Sequence, residues 1–269
     1  MRRHVLICTL VIGLFCSVPA WAGKVVVKGS TTVLPIAQTV AEAFTQETGI
    51  KVSVSGGGSG NGIKALIDGT TDVADASRFI KQKEVKRAVD NGHYPVPFGV
   101  AYDSIIPVVH PSNSISDLST EQLKKIYKGE IKNWSEVGGP DRPVVVISRD
   151  TSSGTYETWE KKVMGSDHVF PGALLQASNG AVSQAVSKNK NAIGYVGIGY
   201  LNDNLRALTV NGIEGTKATT LSGEFPVSRT LFMFTDGWPT GDTLKFINYV
   251  MSPDKGQKFV NEVGYVSVY

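Results

Sequence analysis

Four places in this chain set hydroxyls and glycines where an extended run gives way to a helical one. They are Gly29-Ser30-Thr31-Thr32, Gly58-Ser59-Gly60, Ala76-Ser77-Arg78, and Arg149 with Ser153-Gly154-Thr155. A helix start carries unpaired N–H groups and about half a positive charge, and a serine or threonine there adds a hydroxyl donor. Taken singly, each junction is accounted for by helix capping, the commonest use of these residues. Four together, at junctions that parallel strands would bring to one sheet edge, form a set of donors converging on an anion. Arg149 adds a planar charged fork that matches an oxyanion and binds it with short, directional bonds. Arg78 is the second guanidinium of the set. Reversible capture of a tetrahedral oxyanion needs nothing more, and no metal or other cofactor.

Rival chemistries lack their residues. A nucleophile elbow requires G-x-S-x-G, and Gly57-Gly58-Ser59-Gly60 is followed by Asn61, so a serine phosphatase or esterase acting through Ser59 or Ser153 is the minor alternative. His93, His110 and His168 are far apart and show no metal-binding spacing. The glycine-rich run has neither the third glycine of a dinucleotide turn nor the G-K-[ST] of a P-loop. With 27 Lys+Arg against 24 Asp+Glu, the formal charge is +3, too small an excess for a nucleic-acid binder.

The elements that must position these junctions follow from periodicity. Residues 1–22 read as an export signal: Arg2 and Arg3, an apolar stretch from Val5 to Val18, and Ala20-Trp21-Ala22 as the cleavage site. Both cysteines, Cys8 and Cys16, lie inside it, so an exported chain without disulfides is expected, and Phe15 before Cys16 argues against a lipid anchor. Beyond it, a β-branched run from Lys24 to Lys28 leads into a helix whose apolar face carries Ile36, Ala37, Val40 and Phe44 and which should stop at Gly49. A second strand over 50–55 enters the glycine loop and a short helix over 63–67. A third strand near Val73 precedes a charged helix over 81–90, and an extended stretch follows over 96–109. Further on, a strand over 142–148 delivers Arg149 and its serines into a helix over 156–163. A helix over 181–187, strands over 192–196, 205–210 and 229–235, and two closing helices complete the chain. Strands alternating with helices predict an α/β architecture with mainly parallel sheets.

At these residues the chain resembles the PstS family, the periplasmic phosphate-binding proteins of the ABC phosphate importer. The resemblance covers nearly all of the chain beyond residue 22. It is carried by KGSTTVLPIAQ, GGGSGNGIKAL, DVADASR, STEQLKKIYKGEIKNWSEVGG, SRDTSSGTYETWE and NAIGYVGIGYL. It implies a two-lobed fold of the type II periplasmic binding protein kind, each lobe a mainly parallel sheet flanked by helices, joined by two crossing hinge segments. Lobe 1 is expected over 23–102 and 206–269 and lobe 2 over 103–205, with crossings near Val100–Ser104 and Leu205–Val210. The resemblance implies a monomeric periplasmic protein, not an enzyme, that holds inorganic phosphate between the lobes and delivers it to a membrane permease. The phosphate-binding residues it implies are Ser30, Thr31, Thr32, Ser59, Ser77, Arg78, Arg149, Ser153, Gly154 and Thr155. Some family members place an aspartate at the third-strand loop to accept the proton of hydrogen phosphate, and here Ser77 stands there, followed by Arg78. Asp75, Asp103 and Asp150 remain open for that role, with Asp150 expected instead to hold the Arg149 fork. Without that acceptor, sulfate or molybdate is the alternative ligand.

Overall fold

The computed structural model describes residues 24–165 and 167–269, so the expected export signal lies outside the described residues. The described chain begins as three strand–helix units: β1 (Lys24–Gly29), α1 (Leu34–Thr48), β2 (Lys51–Gly56), α2 (Ser59–Ile67), β3 (Val73–Ala76) and α3 (Gln82–Asp90). A long strand, β4 (Pro95–Val109), carries it into a second set: β5 (Asp117–Leu118), α4 (Thr120–Tyr127), β6 (Val145–Arg149), α5 (Gly154–Trp159), β7 (Leu174–Gln176), α6 (Asn179–Ser187) and β8 (Ala192–Gly197). It ends with β9 (Arg206–Ala207), β10 (Thr209–Val210), α7 (Lys217–Ser222), β11 (Ser228–Asp236), α8 (Gly241–Met251) and α9 (Gly256–Glu262).

The main sheet runs β2-β1-β3-β11-β4-β8-β6-β7, with β9 added beside β4. Its two flanks are parallel, β1 with β2 and β3, and β6 with β7 and β8. Its centre is antiparallel, because β11 pairs against both β3 and β4, and β4 against β8. The architecture is therefore α/β with a mixed sheet, which corrects the expectation of mainly parallel lobes. The reason is connectivity. A strand that leaves one half for the other, and one that returns, run against each other where they meet.

Two hydrophobic cores mark the halves. Val25, Val27, Ile36, Val40 and Phe44 pack with Leu231, Phe246 and Val260 in one, and Ile105, Ile126, Trp134, Ile147, Trp159 and Val196 pack in the other. Strand β4 changes partner between Ser104 and Ile105, from β11 to β8. The stretch Leu205–Val210, expected as the return crossing, packs with the second core. Leu205, Leu208, Val210, Phe225 and Val227 are all buried in the second core, and Ala207 pairs with Val108 of β4. The chain re-enters the first core only at Leu231, on β11. The mixed apolar and polar residues over 205–210 describe a strand equally well in either half, and packing alone assigns it.

The glycine loop is shorter than its composition suggests. Helix α2 begins at Ser59, so Gly60 and Gly62 belong to its first turns. A Cβ on Gly62 would stand 2.5 Å from the Lys28 carbonyl oxygen and 2.6 Å from Gly29 Cα, so only glycine lets this helix rest on the end of β1. That contact sets Ser59 at the carboxyl edge of the sheet.

Candidate functional site

Four helix starts meet where the halves face each other. The turn Ser30-Thr31-Thr32 leads into α1, Ser59 opens α2, Ser153 caps α5, and Asn179 opens α6. Ser30, Thr31, Thr32, Ser59, Ser77, Arg149, Ser153, Thr155 and Asn179 are all buried. Capping and ligand donation are compatible uses of one hydroxyl. Ser153 Oγ accepts the N–H groups of Thr155 and Tyr156, and Ser30 Oγ that of Thr32 at 3.1 Å, so their lone pairs are used locally while their O–H hydrogens stay free to donate.

The threonines are oriented by what donates to them. Thr32 Oγ1 receives the Asn179 amide at 3.0 Å and Arg229 Nη2 at 3.3 Å, and lies 2.9 Å from Thr155 Oγ1. With both its acceptor positions filled, Thr32 donates to Thr155. Thr155 Oγ1 also accepts Arg229 Nη2 at 3.0 Å, so its own hydrogen must point onward. Thr31 Oγ1 accepts the Asn179 amide at 3.1 Å and keeps its hydrogen too. On the other side, Ser59 Oγ accepts the Ser77 N–H at 3.0 Å, with the two hydroxyls 3.2 Å apart.

Arg149 ends β6 and is 1% exposed. Its Nε donates to the Gln176 carbonyl at 3.0 Å and its Nη2 to the Ala177 carbonyl at 3.1 Å, while the Tyr195 hydroxyl accepts its backbone N–H at 3.3 Å. Tyr195 is itself stacked on Trp159, ring centroids 4.4 Å apart, a pair worth about 0.5–1.5 kcal/mol beyond its buried area. The fork is thus held by carbonyls and not by Asp150, whose Oδ2 stands 3.8 Å from Nη2 and whose Oδ1 accepts the Ser152 N–H instead. Nη1 finds no partner among protein atoms. Burial lowers the guanidinium's pKa, and nearby Arg229 lowers it further against the pull of Asp150.

Arg229, on β11, is not among the residues that the sequence singles out. Its Nε lies 2.8 Å and its Nη2 2.7 Å from Asp103 Oδ2, and its Nη1 donates to the Ser77 carbonyl at 3.1 Å. Asp103 Oδ1 accepts the Ile198 N–H at 2.9 Å. Burial pushes the Asp103 carboxyl up, opposed by Arg229 and by the N–H groups of Ile198 and Ser104. Asn179 is missed likewise, although Ser178-Asn179-Gly180 repeats the composition of the four junctions. An arginine at the head of a strand, just before the apolar run Leu231-Phe232-Met233-Phe234, is the other signal that could have found the site.

Arg78 does not join this group. Its guanidinium is taken by Glu84, at 2.7 and 2.9 Å, and by Glu157 at 3.0 Å. The histidines also lie apart: His93 pairs with Asp236, His110 with Ser112 and His168 with Glu160. Among the described residues no group of three or more candidate metal ligands occurs. Asp75 is buried on β3, with an Oδ1 that has no partner, and burial raises its pKa well above the ordinary carboxylate range. Arg229 is thus matched directly by Asp103, whereas Arg149 has Asp150 no nearer than 3.8 Å.

The halves are in contact around these groups. The Gly60 N–H donates to the Ser152 carbonyl at 2.9 Å. A Cβ on Gly154 would stand 2.4 Å from Ser59 Oγ and 2.8 Å from Ser77 Oγ. Gly154→Ala is therefore expected to wedge the lobes apart and weaken ligand binding by about 1–3 kcal/mol, the usual cost of overpacking, with each lobe still folded. Calorimetric titration against an unchanged circular dichroism spectrum checks this.

Known proteins resemble this chain along most of its length. The profile of a PBP superfamily domain matches residues 18–254. The phosphate-binding protein PstS of Bacillus subtilis is 30% identical over 252 residues, covering 92% of this chain and 81% of the relative. PstS of Staphylococcus aureus is 34% identical over 254 residues, covering 89% and 76%. Among solved structures, a phosphate ABC transporter substrate-binding protein from Clostridium perfringens, crystallised with bound phosphate, superposes with a TM-score of 0.86 at 32% identity, covering 92% of this chain and all of the other. An ABC-type phosphate transport receptor from Vibrio cholerae gives 0.73 at 30% identity, covering 90% and 99%.

Proposed function

Since this chain belongs to the PstS phosphate-binding family, we infer that its buried interlobe site captures inorganic phosphate outside the cytoplasm for an ABC importer. It is a binding protein and not an enzyme. The observation that carries the reading is Arg149: a guanidinium 1% exposed, with no carboxylate in hydrogen-bonding range and one nitrogen without a partner. A buried charge left in that state is costly unless a ligand neutralises it, and the ligand must be an anion. The hydroxyls of Ser30, Thr31, Ser59, Ser77, Ser153 and Thr155 are the further donors assigned to the anion, Thr32 orients Thr155, and Gly154 lets Ser59 and Ser77 approach closely. Among the described residues, the histidines pair elsewhere, with Asp236, Ser112 and Glu160, and none bonds to Ser59 or Ser153.

The proton of hydrogen phosphate requires an acceptor. The oxygens of Asp103 are taken by Arg229 and the Ile198 N–H, and Asp150 serves Ser152. Asp75 keeps an unpartnered oxygen, so we assign the role to it. Above its raised pKa the Asp75 carboxylate accepts from hydrogen phosphate and repels sulfate. Below that pKa it carries a proton of its own and can donate to sulfate as well. Selectivity for phosphate over sulfate is thus expected to fall as pH falls, and Asp75→Asn should lose most of it at every pH. Competition titrations with phosphate, sulfate, arsenate and molybdate test both statements: sulfate preferred at pH 8 overturns the ligand, and unchanged selectivity in Asp75→Asn overturns Asp75.

Delivery to a membrane permease follows from the family, and a monomer in the periplasm is the form we propose for the cycle. No helix among the described residues is long and apolar enough to cross a membrane. The anion contacts both lobes at once, which favours the closed arrangement by differential binding.

A further inference from the structure

The lobes meet a second time away from the hydroxyl site, through four charged side chains. Arg78 and Glu84 belong to lobe 1 and are joined there: both Glu84 oxygens face the guanidinium, and Glu84 also accepts the Lys81 N–H at 2.8 Å at the start of α3. Arg78 is thereby held in place before any ligand arrives. Across the interface stands Glu157, on the same short helix as Gly154 and Thr155. Its Oε2 lies 3.0 Å from Arg78 Nε and 2.5 Å from Lys81 Nζ. The Arg78 side chain is 8% exposed and that of Glu157 16%, so this contact is largely shielded from solvent.

We propose that Arg78, Lys81 and Glu157 form an electrostatic latch, in which Glu157 is a positioning residue that retards lobe opening and so sets the rate at which phosphate leaves. The inference rests on phosphate being the ligand that closes the lobes. Glu157 is rigidly linked to Thr155, so it can reach Arg78 only in the arrangement that also seats Gly154 against Ser59 and Ser77. The pairing exists in the closed state alone and is returned to water on opening, which makes it a differential contact of the kind that shifts such an equilibrium. Arg78 also separates two carboxylates. Without its charge, closing the lobes brings Glu84 and Glu157 together as like charges.

That arrangement yields a sign that mere structural damage would not. Phosphate dissociation, followed by stopped-flow on the mature protein, is expected to accelerate about threefold in Lys81→Met, where a partly exposed pair is lost, and in Glu157→Gln, where an amide that can still accept hydrogen bonds replaces the carboxylate facing Arg78 and Lys81. It should accelerate about tenfold in Arg78→Gln, where repulsion is added. The double variant Arg78→Gln/Glu157→Gln should fall back toward threefold, because the second change removes the repulsion. Association rates should stay within about twofold throughout, as rate effects of short-range contacts appear in dissociation. Unchanged dissociation in all three single variants, or a double variant faster than Arg78→Gln, overturns the latch. A wild-type protein that fails to bind phosphate overturns the functional reading itself.

Discussion

Arg149→Ala is expected to weaken phosphate binding by about 2–5 kcal/mol, a loss of some 30-fold to several thousandfold, as for truncation of a buried charged contact. The loss should be almost entirely in ligand affinity. In the unliganded protein the substitution removes a buried cation that has no carboxylate in hydrogen-bonding range, which offsets the two carbonyls, of Gln176 and Ala177, left without a donor. Thermal unfolding should therefore show a nearly unchanged midpoint without phosphate and a lost upward shift with it. Arg149→Lys should fall between, because an ammonium keeps the charge and cannot hold both carbonyls while presenting a free nitrogen to the anion. An affinity for Arg149→Ala within threefold of wild type by calorimetry would take this residue out of the site.

Removing Arg229 should act on folding first. Asp103 is fully buried, and its ionised form is supported by Arg229 and by the N–H groups of Ile198 and Ser104. Arg229→Met leaves that carboxylate without its counter-ion, a change expected to cost about 3–5 kcal/mol at neutral pH. The pH dependence has a definite sign. With Arg229 gone, the folded-state pKa of Asp103 rises further above its unfolded value, the ordinary 3.8 of an aspartate, so the native state binds the extra proton. Stability then falls as pH rises through that folded pKa, and the defect shrinks as pH drops toward 3.8. Urea unfolding at pH 5 and pH 8 should show the larger loss at pH 8, and Asp103→Asn in the same chain should recover much of it. Equal losses at both pH values, with no recovery, would mean that Arg229 stabilises the fold by packing and not by charge. Phosphate binding should weaken as well, since Arg229 donates to both Thr32 and Thr155 and so ties the two halves of the site together.

Local chemistry makes much of the site legible in the order of residues. Ser30, Thr31, Thr32, Ser59, Ser153, Gly154 and Thr155 follow strands and stand at or just before a helix start, whereas Ser77 follows β3 but lies five residues ahead of α3, so the expected helix junction there is not one. Helix starts have the same needs in any fold, so these residues can be found one junction at a time. Arg149 is legible because it sits between a strand and a capped helix. Arg78 shares that position, yet its partners, Glu84 six residues on and Glu157 in the other lobe, direct it elsewhere. Arg229 and Asn179 escape a local reading because their roles depend on residues more than a hundred positions away in the chain for Asn179, and on both lobes at once for Arg229. The packing of residues 205–210 escapes a local reading for a related reason: a short run of mixed apolar and polar residues names a strand without naming its neighbours, and Leu205, Leu208 and Val210 join the core of the second half.

The amino-acid order alone determined which elements form and which of their ends offer donors, since capping, glycine conformation and hydrophobic period act over a few residues. The tertiary structure decided which donors share a ligand, which arginine is matched by a carboxylate and which is left charged, and where one lobe ends. Those outcomes depend on distances between segments remote in sequence and on the loss of water around them, and both are set only when the two halves pack together.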